Sequence, residues 1–72
     1  MANDKPIKVG DLVVESAGHV HEVKAIDGEM IVLQGIAYAN GQVMSGKMVV
    51  DRRKAKLQKV SAAFVNALKG TP

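Results

Sequence analysis

The feature that most constrains the fold is a pair of turn dipeptides, Asp27-Gly28 and Asn40-Gly41, each placed between runs rich in β-branched residues. Both favour a type I′ turn, which needs positive φ at its two central residues, because Asp, Asn and Gly tolerate that conformation best. The first predicts a hairpin between strands at about 19–26 and 29–34. The second predicts a hairpin between stretches around 36–39 and 42–44. The sequence therefore predicts a mostly β chain.

The size of the chain limits the core that these strands can build. With 72 residues and no cysteine, it is one domain near the lower limit for a single hydrophobic core, without disulfides or thiolate metal sites to stabilise it. Apolar residues make up 47% of the chain and charged residues 24%, which indicates a folded domain rather than a disordered segment. Because burial barely offsets chain entropy at this length, we expect help from packing against a partner or a second copy.

Three further strands and a helix complete the predicted fold. Strands are expected at about 11–15, 48–51 and 57–60. In the second strand Val20 and Val23 are an odd number of residues apart, which predicts a bulge near His21 or Glu22. Residues 52–56 are interpreted as a helical or 3₁₀ turn, and a continuous helix over 51–57 is the alternative.

The C-terminal segment has helix boundary signals. Ser61 is a suitable N-cap for a helix over 62–69, and Gly70 is placed to end it. Val60, Phe64 and Leu68 recur at helical spacing and are interpreted as a packing stripe. The predicted organisation is a flexible tail over 1–6, a β-barrel over 7–60 and a C-terminal helix over 61–70.

Residues 9–33 carry a family resemblance. The segments Val9-Gly10-Asp11-Leu12-Val13-Val14, Gly18-His19-Val20-His21-Glu22-Val23, Ile26-Asp27-Gly28 and Ile31-Val32-Leu33 resemble the KOW-type SH3-like segment of ribosomal proteins and transcription elongation factors. The resemblance implies a small SH3-like five-stranded barrel that binds RNA, ribosomes or RNA polymerase. Two features depart from the family pattern: His21 stands in place of a glycine, and the loop over 15–17 lacks the usual basic residues.

Positive charge is concentrated near the C-terminal end. Residues 1–29 carry a formal charge of −3 and residues 30–72 carry +6. Five cations fall within eight residues, and together we call them the basic segment: Arg52, Arg53, Lys54, Lys56 and Lys59. Such a cluster favours a polyanion, either DNA or RNA. A solvated surface that keeps the protein soluble, or contact with an acidic protein, is the alternative interpretation.

The middle of the chain offers a second kind of surface. Residues 30–50 carry one charge, Lys47. In the strand over 29–34 both faces are apolar, so we expect the core on one side and the helix or another subunit on the other. A protein-interaction surface or a homo-oligomer interface is predicted here from four side chains: Ile36, Tyr38, Met44 and Met48. Tyr38 is either a stacking platform for a base or a ring packed on the barrel.

Catalytic and metal-binding patterns have little support. The serines at 16, 45 and 61 lack a nucleophile motif, and the glycines form no phosphate loop, so we expect no enzymatic activity. His19 and His21 have a spacing compatible with a divalent metal, but the sequence indicates no third ligand, so neither a metal nor a cofactor is expected.

The expected location and function follow from these patterns. There is no signal-peptide pattern, and the longest near-apolar run, 30–39, is too short to span a bilayer, which predicts a cytoplasmic protein without a membrane partner. The leading expectation is a small bacterial or phage module that contacts nucleic acid, or a nucleic-acid-bound complex, through the basic segment. The alternative is a protein-interaction module, a regulator or inhibitor docking on a larger protein.

Overall fold

The computed structural model describes residues 6–70, so the predicted flexible tail lies outside the described residues except for Pro6. It contains five β-strands and one α-helix: β1 Leu12–Val14, β2 Val20–Asp27, β3 Met30–Ala37, β4 Lys47–Asp51, β5 Gln58–Val60 and α1 Ala62–Leu68. Each of the five predicted strands overlaps an observed one. β3 continues into the predicted stretch at 36–39, whereas the stretch at 42–44 forms only an isolated bridge at Val43.

The five strands form one antiparallel sheet in the order β4-β3-β2-β1-β5. The predicted mostly β class with a short C-terminal helix is confirmed, and the sheet is compatible with an SH3-like fold. The sheet is not closed, because the described pairing ends at β4 on one side and at β5 on the other. The barrel part of the prediction is therefore not confirmed.

The first predicted hairpin is confirmed, but its turn type is wrong. Asp27 still pairs with Met30, so the two loop residues are Gly28 and Glu29. Gly28 has a φ of 59°, and no residue other than glycine has a positive φ in the described part of the chain. Positive φ at the first loop position alone is the pattern of a type II′ turn. Asp27 therefore belongs to the strand.

The second hairpin is also confirmed with a different turn. Ala37 pairs with Val43, and the backbone N–H of Tyr38 donates to the carbonyl of Gln42 at 2.8 Å. Gly41 has a φ of 91°, whereas the φ of Asn40 is not positive. This is the three-residue loop in which a glycine follows a tight turn. The type I′ prediction is wrong here too, because the loop has three residues.

Two register shifts interrupt the pairing of β2 with β3. One lies between Val20 and His21, close to the predicted bulge, but the extra residue is Ile36 on β3. The other leaves Lys24 as the extra residue on β2. Val20 and Val23 belong to different core clusters, so no bulge is needed to bring them together.

The core consists of two clusters. The first contains Val13, Val23, Ile31 and Leu33, and the second contains Val20, Ala37 and Val65. Directly opposed residues in antiparallel pairs share a face of the sheet. From the register, the first cluster lies on one face, which we call the first face, and α1 packs on the other, the second face.

The segment between β4 and β5 is a series of turns rather than a helix. The amides of Lys54 and Ala55 both donate to the carbonyl of Asp51, at 2.9 and 2.8 Å. The turn interpretation is confirmed, and the continuous helix over 51–57 is not found.

The C-terminal helix begins at the predicted residue, Ala62, and ends at Leu68, one residue before the predicted end. Ser61 Oγ accepts the amide of Phe64 at 3.1 Å, as expected for an N-cap. The predicted packing stripe is partly wrong: Val60 and Leu68 pack on the second cluster, but Phe64 is 44% exposed, and Val65 is the buried residue.

Candidate binding surfaces

Arg53, in the centre of the basic segment, is already paired with acids. Its Nη2 lies 2.9 Å from Asp51 Oδ2 and its Nε 3.2 Å from Asp51 Oδ1, while Glu29 lies 3.9 Å from Nε. This side-chain hydrogen bond holds the pKa of Asp51 below its usual range and raises the pKa of Arg53. Arg53 therefore fixes the turn, and its positive charge is largely balanced.

Lys59 is held away from the turn. It lies on β5, and its Nζ is 3.2 Å from Asp11 Oδ2. The pKa of Asp11 is lowered chiefly by the hydrogen bond from the Lys8 amide, at 2.8 Å, and further by Lys59. Lys59 thus forms an ion pair that links β5 to Asp11, directly before β1.

Three cations of the basic segment remain available to a ligand. Lys54 and Lys56 are exposed and Arg52 is half-buried. Within residues 6–70 none of the three makes an ion pair. Arg52 and Lys54 therefore lie on the turn after β4 and Lys56 just beyond it, while the charges of Arg53 in the same turn and of Lys59 on β5 are paired with acids.

The four residues of the predicted interaction surface divide between two places. Ile36 is half-buried and packs on the second cluster beneath α1. Tyr38 is 43% exposed, and its ring stands edge-on to His19 with centroids 5.3 Å apart. His19 is fixed in turn, because its Nδ1 accepts the amide of Ala39 at 2.9 Å. The Tyr38 ring thus has an aromatic contact within the chain.

Met44 and Met48 lie elsewhere, beside a pocket of about 110 Å³ that His21 also lines. Met44 is half-buried and Met48 is 43% exposed. The Met44 amide donates to the Ile36 carbonyl at 3.1 Å, but the side chains of Met44 and Met48 border the first face, whereas Ile36 packs on the second cluster. The predicted interaction residues therefore do not form one continuous surface.

His21 and its expected companion His19 lie in different surroundings. His19 precedes β2 and its Nδ1 accepts the Ala39 amide, whereas His21 is buried within β2. The His21 side chain is 3% exposed, and neither ring nitrogen has a hydrogen-bond partner in the described structure. Burial lowers the pKa of His21, with a smaller opposing influence from Glu15.

Sequence reasoning missed this pocket because its members come from three separate segments. Two signals were available: strand alternation, which puts His21 on the same face as the buried Val23, and the glycine at 35, which has no side chain. Gly35 lies directly opposite His21, where it leaves space over the strand. Neither signal shows where Met44 lies.

Searches for larger functional features give negative results for the described residues. Between residues 6 and 70 no three His, Asp or Glu side chains are grouped as a metal site would need. Nor is any helix in that range long and apolar enough to cross a bilayer. No protein-family model matches the chain, and no match was found among curated proteins or solved structures.

Proposed function

We propose that this chain is a small non-enzymatic binding module that contacts the phosphates of nucleic acid, alone or in a nucleic-acid-bound complex, through the turn after β4. The observation that carries the proposal is that Arg52, Lys54 and Lys56 lie on or just beyond one turn and make no ion pair inside residues 6–70. An open cationic turn of this kind attracts polyanions by releasing their condensed counterions.

The geometry favours contacts to the backbone over reading of bases. Phosphate contacts position a protein on nucleic acid but carry no sequence information. Base stacking needs exposed aromatic faces, and the two aromatic residues of the chain are Tyr38, which is engaged with His19, and Phe64 on the outside of α1. Binding should therefore be weakly selective for sequence.

The KOW-type resemblance of residues 9–33 makes the proposal more specific. It favours RNA, the ribosome or RNA polymerase as the partner. His21 departs from that pattern because it stands in place of a glycine, and the loop over 15–17 lacks the usual basic residues. The turn after β4 therefore carries the proposed contact in this chain.

The test is the salt dependence of binding to duplex DNA and to a structured RNA, measured by fluorescence anisotropy. Three phosphate contacts predict a slope of log affinity against log salt of about −2.7 on B-form DNA. The variant Lys54→Ala/Lys56→Ala should bring the slope to about −0.9 and weaken binding to all sequences alike.

The matched control is Lys24→Ala/Lys69→Ala, which removes the same charge from β2 and the end of α1. It should retain the parental slope. If the two double variants lose affinity equally, binding depends on net charge alone and the turn is not the contact. If the parent protein does not bind either nucleic acid at low salt, the proposal is wrong.

A protein-interaction module remains the second candidate, favoured by one observation. The open edge strand β4 and its neighbour expose large apolar side chains: Met30 at 41%, Met48 at 43% and Val49 at 58%. Exposed apolar area beside an unpaired strand edge is typical of a protein contact. Partners recovered from a lysate with nuclease treatment, and lost on Val49→Lys but not on Lys54→Ala/Lys56→Ala, would favour this function.

A further inference from the structure

The His21 pocket contains a buried polar group whose hydrogen-bonding capacity is unused. Among residues 6–70 neither imidazole nitrogen of His21 has a hydrogen-bond partner, although the residue is only 3% exposed. A buried polar group without a partner costs about 1–3 kcal/mol. Such a group is kept at low cost only if something enters the pocket to bind it.

The first candidate for a second ligand is the Met44 thioether, which lies on Gly35. A Cβ atom added to Gly35 would stand 2.8 Å from Met44 Sδ and 2.6 Å from Met44 Cγ. Gly35 therefore provides the space that this side chain fills. Gly35 is the residue directly opposite His21, and side chains at such paired positions start about 5 Å apart on one face. Met44 and His21 thus line the same pocket from neighbouring positions.

Met48 supplies a second thioether to the same pocket. Met48 pairs with Leu33, which lies two residues from Gly35 and on the same face of β3. Met48 therefore lies on the first face with His21. Its partial exposure leaves a route by which a ligand can enter. Lys47 also borders the pocket, but it alternates with Met48 along β4, so its side chain points to the second face.

The electrostatics of the pocket select a cation of low charge. Its three candidate donors are uncharged, because burial lowers the pKa of His21 and keeps the imidazole neutral with a free lone pair. Glu15 is the acid whose charge reaches His21, and it favours positive charge there. A divalent ion would retain most of its charge among neutral donors in an apolar pocket, which is unfavourable. Thioether sulfur is a soft ligand that prefers copper(I) among biological metals.

We propose that His21, Met44 and Met48 form a binding site for a soft monovalent metal ion, copper(I) in a biological setting. The imidazole provides one nitrogen and the two methionines provide one sulfur each. The site is independent of the cationic turn after β4.

The test uses silver(I), which has the same charge and ligand preference and does not oxidise, in a nitrate buffer. Protein carrying ¹³C-methyl methionine is titrated and followed by NMR. At one equivalent, the methyl signals of Met44 and Met48 should shift, while the signal of Met30 stays in place because its side chain lies on the second face. Zinc(II) at the same concentration should leave the methionine signals unchanged.

Ligand variants with nearly the same volume keep the result interpretable. Met44→Leu and Met48→Leu retain packing, because exchange of Met and Leu is well tolerated. Each should weaken silver binding at least about tenfold, in line with losses seen on disturbing metal sites. Met30→Leu is the control and should bind as the parent does.

His21→Leu should abolish one-equivalent binding, and its fold is checked by circular dichroism. If that variant does not fold, the two methionine variants still decide the question. Equal silver binding by the parent and by Met44→Leu/Met48→Leu, or a parent protein whose Met44 and Met48 signals do not move, would overturn the proposal. The pocket would then hold only water, which can also satisfy a buried imidazole.

Discussion

Because the His21 imidazole is buried, we expect the stability of this domain to depend on pH through this single residue. The side chain is 3% exposed and its pKa is lowered chiefly by desolvation, with Glu15 opposing that effect. The unfolded chain takes up a proton at this residue near pH 6.5, whereas the native state resists it. Stability due to this difference is complete above that pH and is lost as the pH falls below it.

We therefore predict that the free energy of unfolding decreases between pH 7.5 and 5.5, with a slope of at most about 1.4 kcal/mol per pH unit for one proton. Urea unfolding at half-unit pH intervals measures it. His21→Leu should remove this slope, while His19→Gln, in a neighbouring but less buried position, should keep most of it. If the free energy of unfolding of His21→Leu depended on pH as that of the parent does, groups other than His21 would be responsible.

The loss of stability at still lower pH has a separate cause. The pKa values of Asp11 and Asp51 are lowered by hydrogen bonds from Lys8 and Arg53, respectively. Their contribution to stability is present above about pH 3.8 and is lost only as the pH falls below it. The two pH ranges do not overlap, so the His21 contribution can be measured without them.

At the level of single residues, the sequence indicated the charged groups better than their partners. The basic segment was visible as a run of residues, but the pairing of Arg53 with Asp51 and of Lys59 with Asp11 depends on the turn and on β5 lying beside β1. The burial of His21 was missed for a similar reason. It depends on a strand opposite and on Met44, which the chain reaches only through the second hairpin.

At the level of elements, local signals predicted where strands and the helix occur but not how each turn is built. The dipeptides at 27–28 and 40–41 correctly marked both hairpins. Their turn types were wrong because the strand pairing, and not the dipeptide, decides which residues form the loop. Asp27 is paired with Met30, and this pairing moves the turn one residue along the chain.

This difference gives a prediction for the first hairpin. Gly28→Val should lower the free energy of unfolding by more than about 1 kcal/mol, because a β-branched residue is strained at a φ of 59°. Asp27→Val should change it much less, because Asp27 has no positive φ and pairs within the sheet. Thermal or urea unfolding of the two variants makes the comparison.

A type I′ turn would give a different result, because both central residues would need positive φ and both valine variants would be costly. Equal destabilisation by Asp27→Val and Gly28→Val would therefore contradict the two-residue loop over 28–29. If neither variant were destabilised, the β2–β3 hairpin would be of little importance for the fold.

At the level of the whole molecule, the sheet is covered unevenly. Its first face carries the Val13, Val23, Ile31 and Leu33 cluster, and α1 covers the second face only near Val65. Next to β4 the second face presents Val49 opposite Val32 and leaves Val49 58% exposed. The sequence predicts the core on one face of β3 and α1 or another subunit on the other. The first cluster lies on the first face, and α1 covers the second face at one end only.

The uncovered part of the second face leads to a prediction about association. We expect the protein to be at least dimeric at micromolar concentration, through second-face contacts of Met30, Val32 and Val49 from each copy. Glu22 and Lys47 flank this patch through their common partner Gln34. A two-fold interface can bring the acid of each copy to the base of the other, so the patch can be self-complementary.

Sedimentation equilibrium measures the mass directly, and Val49→Lys places a charge in the centre of the patch. This variant should be monomeric with a melting temperature close to that of the folded parent monomer, because Val49 contributes little to either core cluster. Val9→Lys is the matched control, since Val9 is 61% exposed and precedes β1, away from the patch. It should sediment like the parent.

The prediction would be contradicted if the parent protein stayed monomeric at about 100 µM. That concentration is well above a micromolar dissociation constant, which corresponds to a binding free energy of roughly 8 kcal/mol. In that case the second face beside β4 stays open to solvent, and the single helix is all that covers it.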